Sequence, residues 1–279
     1  MVQTINQSDI EHFRAEGYLI ARNVINADIV QKVRQEIHET ICQQLKYLDI
    51  RPTSEATADG IFASLKSLFA KDQSRYLATL RLCAKLCSVY QLYLDQNMLS
   101  IAKKLGIDFP VFQTQPVFHV MAEKLRIEDG YFGSGAHQDW PSLHSGLDTI
   151  TTWVPMVPVQ KNSFTLEIIP RTHMLGVLDA VEKADIYEVN PEAYRSMTFQ
   201  PVEMNPGDAL FFSTFLIHKS EKEGSADAFR AAFSMRYENA ANKYFIRQKY
   251  PFAHKRVVAR TLSAEAIPSI EEIKSVYQN

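Results

Sequence analysis

An α+β chain, with a β sandwich or jelly roll in its second half and helices packed against it, follows from three observations. Apolar residues recur at helical spacing through about the first 105 residues. After Pro110 the pattern changes to short runs rich in β-branched and aromatic residues, bounded by turn residues and with no helix between them. No linker separates the two halves. The chain 1–279 is therefore expected to form one domain, with a helical layer over 1–105, a β core over 110–240 and a C-terminal extension over 241–279.

Composition narrows the partners. Of 279 residues, 46% are hydrophobic and 22% charged, and 30 basic against 32 acidic side chains leave a net charge of −2. That balance offers no basic field to nucleic acid or to an anionic membrane surface. The start, Met1 to Asn6, lacks the charged and apolar parts of a secretory signal, and no apolar run is long enough to span a bilayer. A cytoplasmic location is expected. Three cysteines, Cys42, Cys83 and Cys87, are too few for a disulfide framework and read as small buried apolar residues in a reducing compartment.

Taken in order, Ser8-Asp-Ile-Glu11 reads as a capping box opening a short helix that Gly17 stops. Tyr18 to Ala21 is a strand. A second helix follows Asn26, with Ile29, Val33, Ile37, Ile41 and Leu45 as its buried stripe. Arg51 to Gly60 is polar and reads as a loop. Ile61 to Leu105 is helical again, with breaks near Asp72 and Ser88 and Gly106 as C-cap. Leu77, Leu80, Cys83 or Ala84, Cys87, Tyr90, Tyr93 and Leu94 fit one face of it. The strands expected after Pro110 are Val117 to Lys124, Asp148 to Pro155, Phe164 to Pro170, Asp208 to His218 and Arg230 to Tyr237. A short closing helix carries Ile267, Ile270, Ile273 and Val276.

Chemistry gathers at Gly133-Ser-Gly-Ala-His137-Gln-Asp139-Trp140. In an extended segment, residues two apart share a face, so His137 and Asp139 would stand side by side with Gln138 opposite. One more histidine would complete the two-histidine, one-carboxylate face that holds non-haem Fe(II). His218 ends the apolar run after Pro206-Gly-Asp208. Alone, such a histidine is more often a hydrogen-bonded rim residue than a ligand. Arg230 opens a strand in which Arg230, Ala232, Ser234 and Arg236 share a face. A guanidinium aimed inward needs an anion, either a bound carboxylate or an internal Asp or Glu.

In joint order and spacing, these groups resemble the phytanoyl-CoA dioxygenase family of Fe(II)/2-oxoglutarate oxygenases. The resemblance covers nearly the whole length. It includes Phe13, Gly17-Tyr18-Leu-Ile, Val24-Ile25, His137-Gln-Asp139, Trp153-Val-Pro, Ile169-Pro-Arg-Thr-His173, Pro206-Gly-Asp-Ala-Leu-Phe-Phe, His218-Lys-Ser220 and Phe229-Arg230-Ala-Ala-Phe-Ser. It implies a double-stranded β-helix core of the jelly-roll, cupin-like kind. It also implies Fe(II) on His137, Asp139 and His218. The distal carboxylate of 2-oxoglutarate would lie on Arg230 with the Ser220 hydroxyl, and Gln138 and Trp153 would line the cosubstrate pocket. His119 falls where the family often places a polar side chain near the cosubstrate, with a structural role as the alternative. Tyr131 and Trp140 are candidates for a substrate wall or for core packing. Arg236 is a candidate for a substrate anion or for a packing role. Ser163 and Arg171 depart from the family pattern, which has glycine at both places.

The activity implied is oxygenation of a small molecule, with O2 and 2-oxoglutarate as cosubstrates. Asp139 favours hydroxylation, because related halogenases carry a small residue in its place. The rivals are a jelly-roll isomerase or hydrolase using the same three residues without 2-oxoglutarate, and a non-catalytic binding protein. Arg230 and Ser220 count against the first and the intact triad against the second.

Overall fold

The computed structural model describes residues 4–53, 55–128, 132–183, 186–250 and 267–278. Helix α1 (Gln7–Glu16) does open on a capping box, but the pair is Asn6 with Asp9 rather than Ser8 with Glu11. The Asn6 side chain accepts from Asp9 N at 3.1 Å, and the Asp9 carboxylate accepts from Asn6 N at 2.8 Å. Gly17 ends the helix at φ 82°, a left-handed conformation that costs glycine nothing. Helix α2 (Ala27–Tyr47) is capped by Asn26 and buries Val33, Ile37, Ile41 and Leu45. His38 is buried on the same helix.

The remaining helical layer is α3 (Ala58–Lys71), α4 (Gln73–Cys83), α5 (Cys87–Tyr93) and α6 (Gln96–Lys104). Asp72 caps α4, as the break there requires. The second break falls at 84–86, ahead of Ser88, and a third at 94–95 was not expected. Each break resets the helical phase, so a single face drawn from Leu77 to Leu94 is not continuous. Helix α4 instead buries Tyr76, Thr79 and Cys83, while Leu77, Leu94 and Cys87 are exposed.

The strands are β1 (Tyr18–Ala21), β2 (Pro110–Phe112), β3 (Val117–Met121), β4 (Ile150–Pro155), β5 (Leu166–Ile168), β6 (Ala180–Lys183) and β7 (Ile186–Val189). Then come β8 (Gln200–Val202), β9 (Ala209–Ser213), β10 (His218–Ser220) and β11 (Arg230–Asn239). The larger sheet runs β1–β9–β4–β11, with β2 and β3 both on the outer side of β11 at different points along it. The second sheet is β10–β5–β8, and bridges from His137 to His218 and to Glu188 join it to the β6–β7 hairpin. All these pairings are antiparallel, the jelly-roll arrangement of two facing sheets. The run Asp208 to His218 is two strands. Strand β9 stops at Ser213, a buried turn through Phe215 crosses between the sheets, and His218 opens β10. Strands β2, β6, β7 and β8 are short and in part polar, too brief for alternation to reveal them.

Central strands β4 and β9 are buried on both faces, which explains their nearly continuous apolar runs. On β11, Ala231, Phe233, Met235 and Tyr237 pack with the helices, in one cluster with Ile37, Leu65 and Leu92. Its opposite face looks between the sheets, where Ala232 joins Trp153, Leu210, Phe212, Leu166 and Ile168. The second face also holds Arg230, Ser234, Arg236 and Glu238, all but Arg236 fully buried. Helices α7 (Trp140–Leu143) and α8 (Lys243–Arg247) follow, and the closing helix α9 (Ile270–Tyr277) packs Tyr277 against Phe13 and His173.

Glu238 makes one stretch of the core sensitive to pH. It accepts from Thr149 Oγ1 at 2.7 Å and from the backbone N–H of Gly146 and Asn239, each at 3.0 Å. Burial still pushes its carboxyl up to about 7, with Asp148 adding to the rise, and burial pushes Asp148 up to about 6. Both folded values lie above the unfolded ones, so this contribution is complete below the ordinary carboxylate range and is lost as pH climbs through 6 and 7. Urea titrations should show stability falling by on the order of 3 kcal/mol between about pH 5 and pH 8. Glu238→Gln should flatten that profile. An equally steep fall in the variant would assign the effect elsewhere.

Candidate metal centre

His137 and His218 meet through a two-bond backbone pair: each N–H donates to the other's carbonyl at 3.0 Å. Their rings lie 4.1 Å apart between centroids. Residues directly opposite in antiparallel pairing point the same way, so the pairing itself brings the imidazoles together. Asp139 arrives by a different route from the one the sequence suggested. The extended backbone ends before it, since Asp139 has helical angles (φ −70°, ψ −33°) and starts the one-turn helix α7 (Trp140–Leu143). Its Oδ1 nonetheless lies 3.6 Å from His137 Nε2 and 3.8 Å from His218 Nε2. One donor atom from each of the three residues fits within 4.8 Å, the one such group among the described residues.

The protonation of this set follows from its neighbours. His137 Nδ1 lies 2.7 Å from Gly135 O, and His218 Nδ1 lies 3.0 Å from Leu216 O. A carbonyl only accepts, so both Nδ1 atoms carry a proton and both Nε2 atoms face Asp139 Oδ1. Burial lowers His218 to about 3, with His137 beside it contributing, and so keeps the ring neutral. Asp139 Oδ2 is engaged away from the histidines. It accepts from Thr151 Oγ1 at 2.6 Å and from Arg236 Nη2 and Nε at 3.0 and 3.3 Å. Burial alone would raise the Asp139 carboxyl. The Arg236 guanidinium leads the groups that outweigh it and hold the carboxyl well below its ordinary range. The neutral imidazole of His218, the Nε2 atom of His137 and one anionic oxygen converge. This donor set fits Fe(II) and leaves further positions on the ion for other ligands.

A second polar group lies along the same face of β11. Arg230, 2% exposed, donates from Nη1 to Phe164 O at 2.6 Å and from Nη2 to Ser220 Oγ at 3.3 Å. Its guanidinium carbon stands 6.0 Å from the Trp153 ring centroid. Between the two arginines, Ser234 Oγ pairs with His119 Nε2 at 2.8 Å. Burial, with Arg230 and Arg236 nearby, lowers His119 to about 3, so this imidazole is neutral too.

The fold thus gathers His137, Asp139, His218, Arg230, Ser220, Trp153 and His119 on the inner face of the two sheets. Arg236, offered by the sequence as a substrate or packing residue, is instead the ion-pair partner of Asp139. Gln138 does not line the pocket. Its Nε2 donates to Gly176 O at 2.8 Å and Phe215 O at 2.7 Å, and its Oε1 accepts from Leu178 N at 3.0 Å, so the amide braces loops on the far side. Trp140 forms no substrate wall either. It is fully buried, stacks on Phe215 and donates from Nε1 to Ser145 O at 3.0 Å, because the turn into α7 swings it into the core. Tyr131 lies outside the described residues. Among histidines given no role, His173 is buried against Arg14 O at 3.0 Å, and His254 lies outside the described residues.

Sequence reasoning missed Thr151, although Thr151 and Trp153 alternate on the inner face of β4. The register Thr151↔Arg236 would have flagged it. At the two departures from the family pattern, the left-handed backbone falls on Arg171 (φ 69°) and on Phe164 (φ 53°), one residue after Ser163. Arg171 is held by a fork of hydrogen bonds to Glu16 at 2.7 to 3.0 Å, and the Phe164 carbonyl is the one that meets Arg230.

Solved structures share this architecture. The α-ketoglutarate-dependent carbocyclase SnoK from nogalamycin biosynthesis superposes with a TM-score of 0.59, over 96% of this chain and 98% of that one, at 16% identity. EctD from S. alaskensis in its apoform gives 0.56 over 85% and 78%, at 14% identity. At such identities the likeness is one of fold. Fold and donor set together make a jelly roll with a site compatible with iron. The chain belongs to the phytanoyl-CoA dioxygenase (PhyH) family, whose model matches residues 13–232. A methylphosphonate hydroxylase of Gimesia maris is 31% identical over 136 residues, 48% of this chain, and the matched part spans 50% of that relative's length.

Proposed function

We propose that this enzyme hydroxylates a carbon of a small molecule, with His137, Asp139 and His218 holding Fe(II) and Arg230 with Ser220 gripping the distal carboxylate of 2-oxoglutarate. The observation that carries the reading is the pairing of two polar groups on one inner face: the imidazole and carboxylate set, and the buried guanidinium beside a hydroxyl. When bound, Fe(II) with 2-oxoglutarate and O2 supplies the oxidising chemistry. The chain orients and protects it. Arg236 and Thr151 engage Asp139 Oδ2 and turn Oδ1 toward the ion. His119 fixes Ser234 between the arginines without adding charge. Leu210, Phe212 and Leu216 keep water from the inner face. The Gimesia relative named a hydroxylase supports this reaction type, as does the carboxylate at position 139, whose place a halide would need.

Under anaerobic conditions, Fe(II) and 2-oxoglutarate together should give the protein a visible charge-transfer band, and in air the mixture should form succinate. Absence of the band with Fe(II) bound would favour an isomerase or hydrolase that works without 2-oxoglutarate.

A further inference from the structure

One short segment, Phe132 to Ser134, braces both polar groups at the Arg230 end of the inner face. Ser220 N donates to Ser134 O at 2.9 Å. Gly133, in a left-handed conformation (φ 76°), lies against the Ser220 side chain. A Cβ built there would come 2.6 Å from Ser220 Cβ and 3.1 Å from its Oγ, so only a bare glycine lets the two lie so close.

The arginine is braced through Phe164. The Phe164 carbonyl accepts from Arg230 Nη1 at 2.6 Å, and its backbone sits at φ 53°, which a bulky residue holds only where its surroundings impose it. Two neighbours do so. A Cβ built at Gly224 would come 2.6 Å from the buried Phe164 ring, and the Phe132 ring meets that ring edge-to-face, 5.7 Å between centroids at 88°. Over Phe132 stands the Arg126 guanidinium, 3.7 Å from the ring centroid. Arg126 is exposed, donates to both Glu123 carboxylate oxygens at 2.9 and 2.8 Å, and reaches Lys222 O at 3.2 Å. From solvent inward the stack runs Arg126, Phe132, Phe164, Arg230.

We infer that Phe132, clamped by Arg126, is a positioning residue for the cosubstrate. It touches neither iron nor cosubstrate. It holds Phe164 O and Gly133 so that Arg230 and Ser220 stand ready for the distal carboxylate before it arrives, and a site formed in advance binds more tightly. This rests on the 2-oxoglutarate reading and names what preforms that end of the site.

The test titrates the anaerobic Fe(II) protein with 2-oxoglutarate and, separately, with pyruvate, reading the absorption band. Pyruvate has the same 2-oxo acid head and no second carboxylate. Phe132→Ala should need about tenfold more 2-oxoglutarate for half-saturation, with pyruvate and Fe(II) affinities unchanged. Phe132→Tyr, which keeps the ring, should bind 2-oxoglutarate as the natural protein does. Arg126→Gln, at an exposed position, should weaken 2-oxoglutarate about threefold and spare pyruvate, and it decides the matter if Phe132→Ala fails to fold. Unchanged 2-oxoglutarate affinity in the folded variant, or a loss shared equally by pyruvate or by Fe(II), overturns the assignment. Failure of the natural protein to form a band with 2-oxoglutarate overturns the cosubstrate reading and this inference with it.

Discussion

Replacing His218 with alanine should abolish succinate formation and weaken Fe(II) binding by more than about a hundredfold, since even residues one step removed from a metal cost ten- to a hundredfold. The fold should survive, because the backbone pair with His137 and the contacts of Lys219 and Ser220 to β5 do not depend on the imidazole. Asp139→Asn tests the same set differently. It keeps the shape but leaves the Arg236 guanidinium without its buried counter-charge, so it should lose both metal and stability, the latter by about 3 kcal/mol or more. Calorimetric titration with Fe(II) and a urea denaturation curve separate the two effects. Undiminished Fe(II) binding in His218→Ala would remove the centre as assigned.

Arg230→Ala should raise the concentration of 2-oxoglutarate needed for half-saturation by at least about thirtyfold, the effect of leaving a buried carboxylate without its charged partner. Turnover at saturating cosubstrate should fall less. Arg230→Lys should recover only part of the loss, because an ammonium cannot present the guanidinium's fork. Direct titration of 2-oxoglutarate into the anaerobic Fe(II) protein reads the change without relying on turnover. Affinity equal to that of the natural protein would move the carboxylate site away from Arg230. Arg236 is a poor substitute, since Asp139 already engages it.

That His137, Asp139 and His218 converge, and that Ser220 lies beside Arg230, was legible because their chemical types stand in a characteristic order along the chain, and order survives without knowledge of the fold. The long stripe of α2 was legible for a similar reason: one unbroken helix has one phase. What sequence concealed were the partners. Arg236 was correctly placed on the inner face, but that Thr151 and Asp139 meet it depends on the register of β4 against β11 and on the turn into α7. Gln138 and Trp140 were misplaced because extended spacing was carried past the point where the backbone turns helical.

With His137 and His218 hydrogen-bonded to each other, an ion held there would clasp segments that are remote along the chain. Docking those segments shortens a very long loop, and the entropy of that closure is borne by sheet formation before any metal arrives. A cation that binds only the closed form then resists its reopening by mass action, so resistance to thermal unfolding should track the free concentration of ferrous ion.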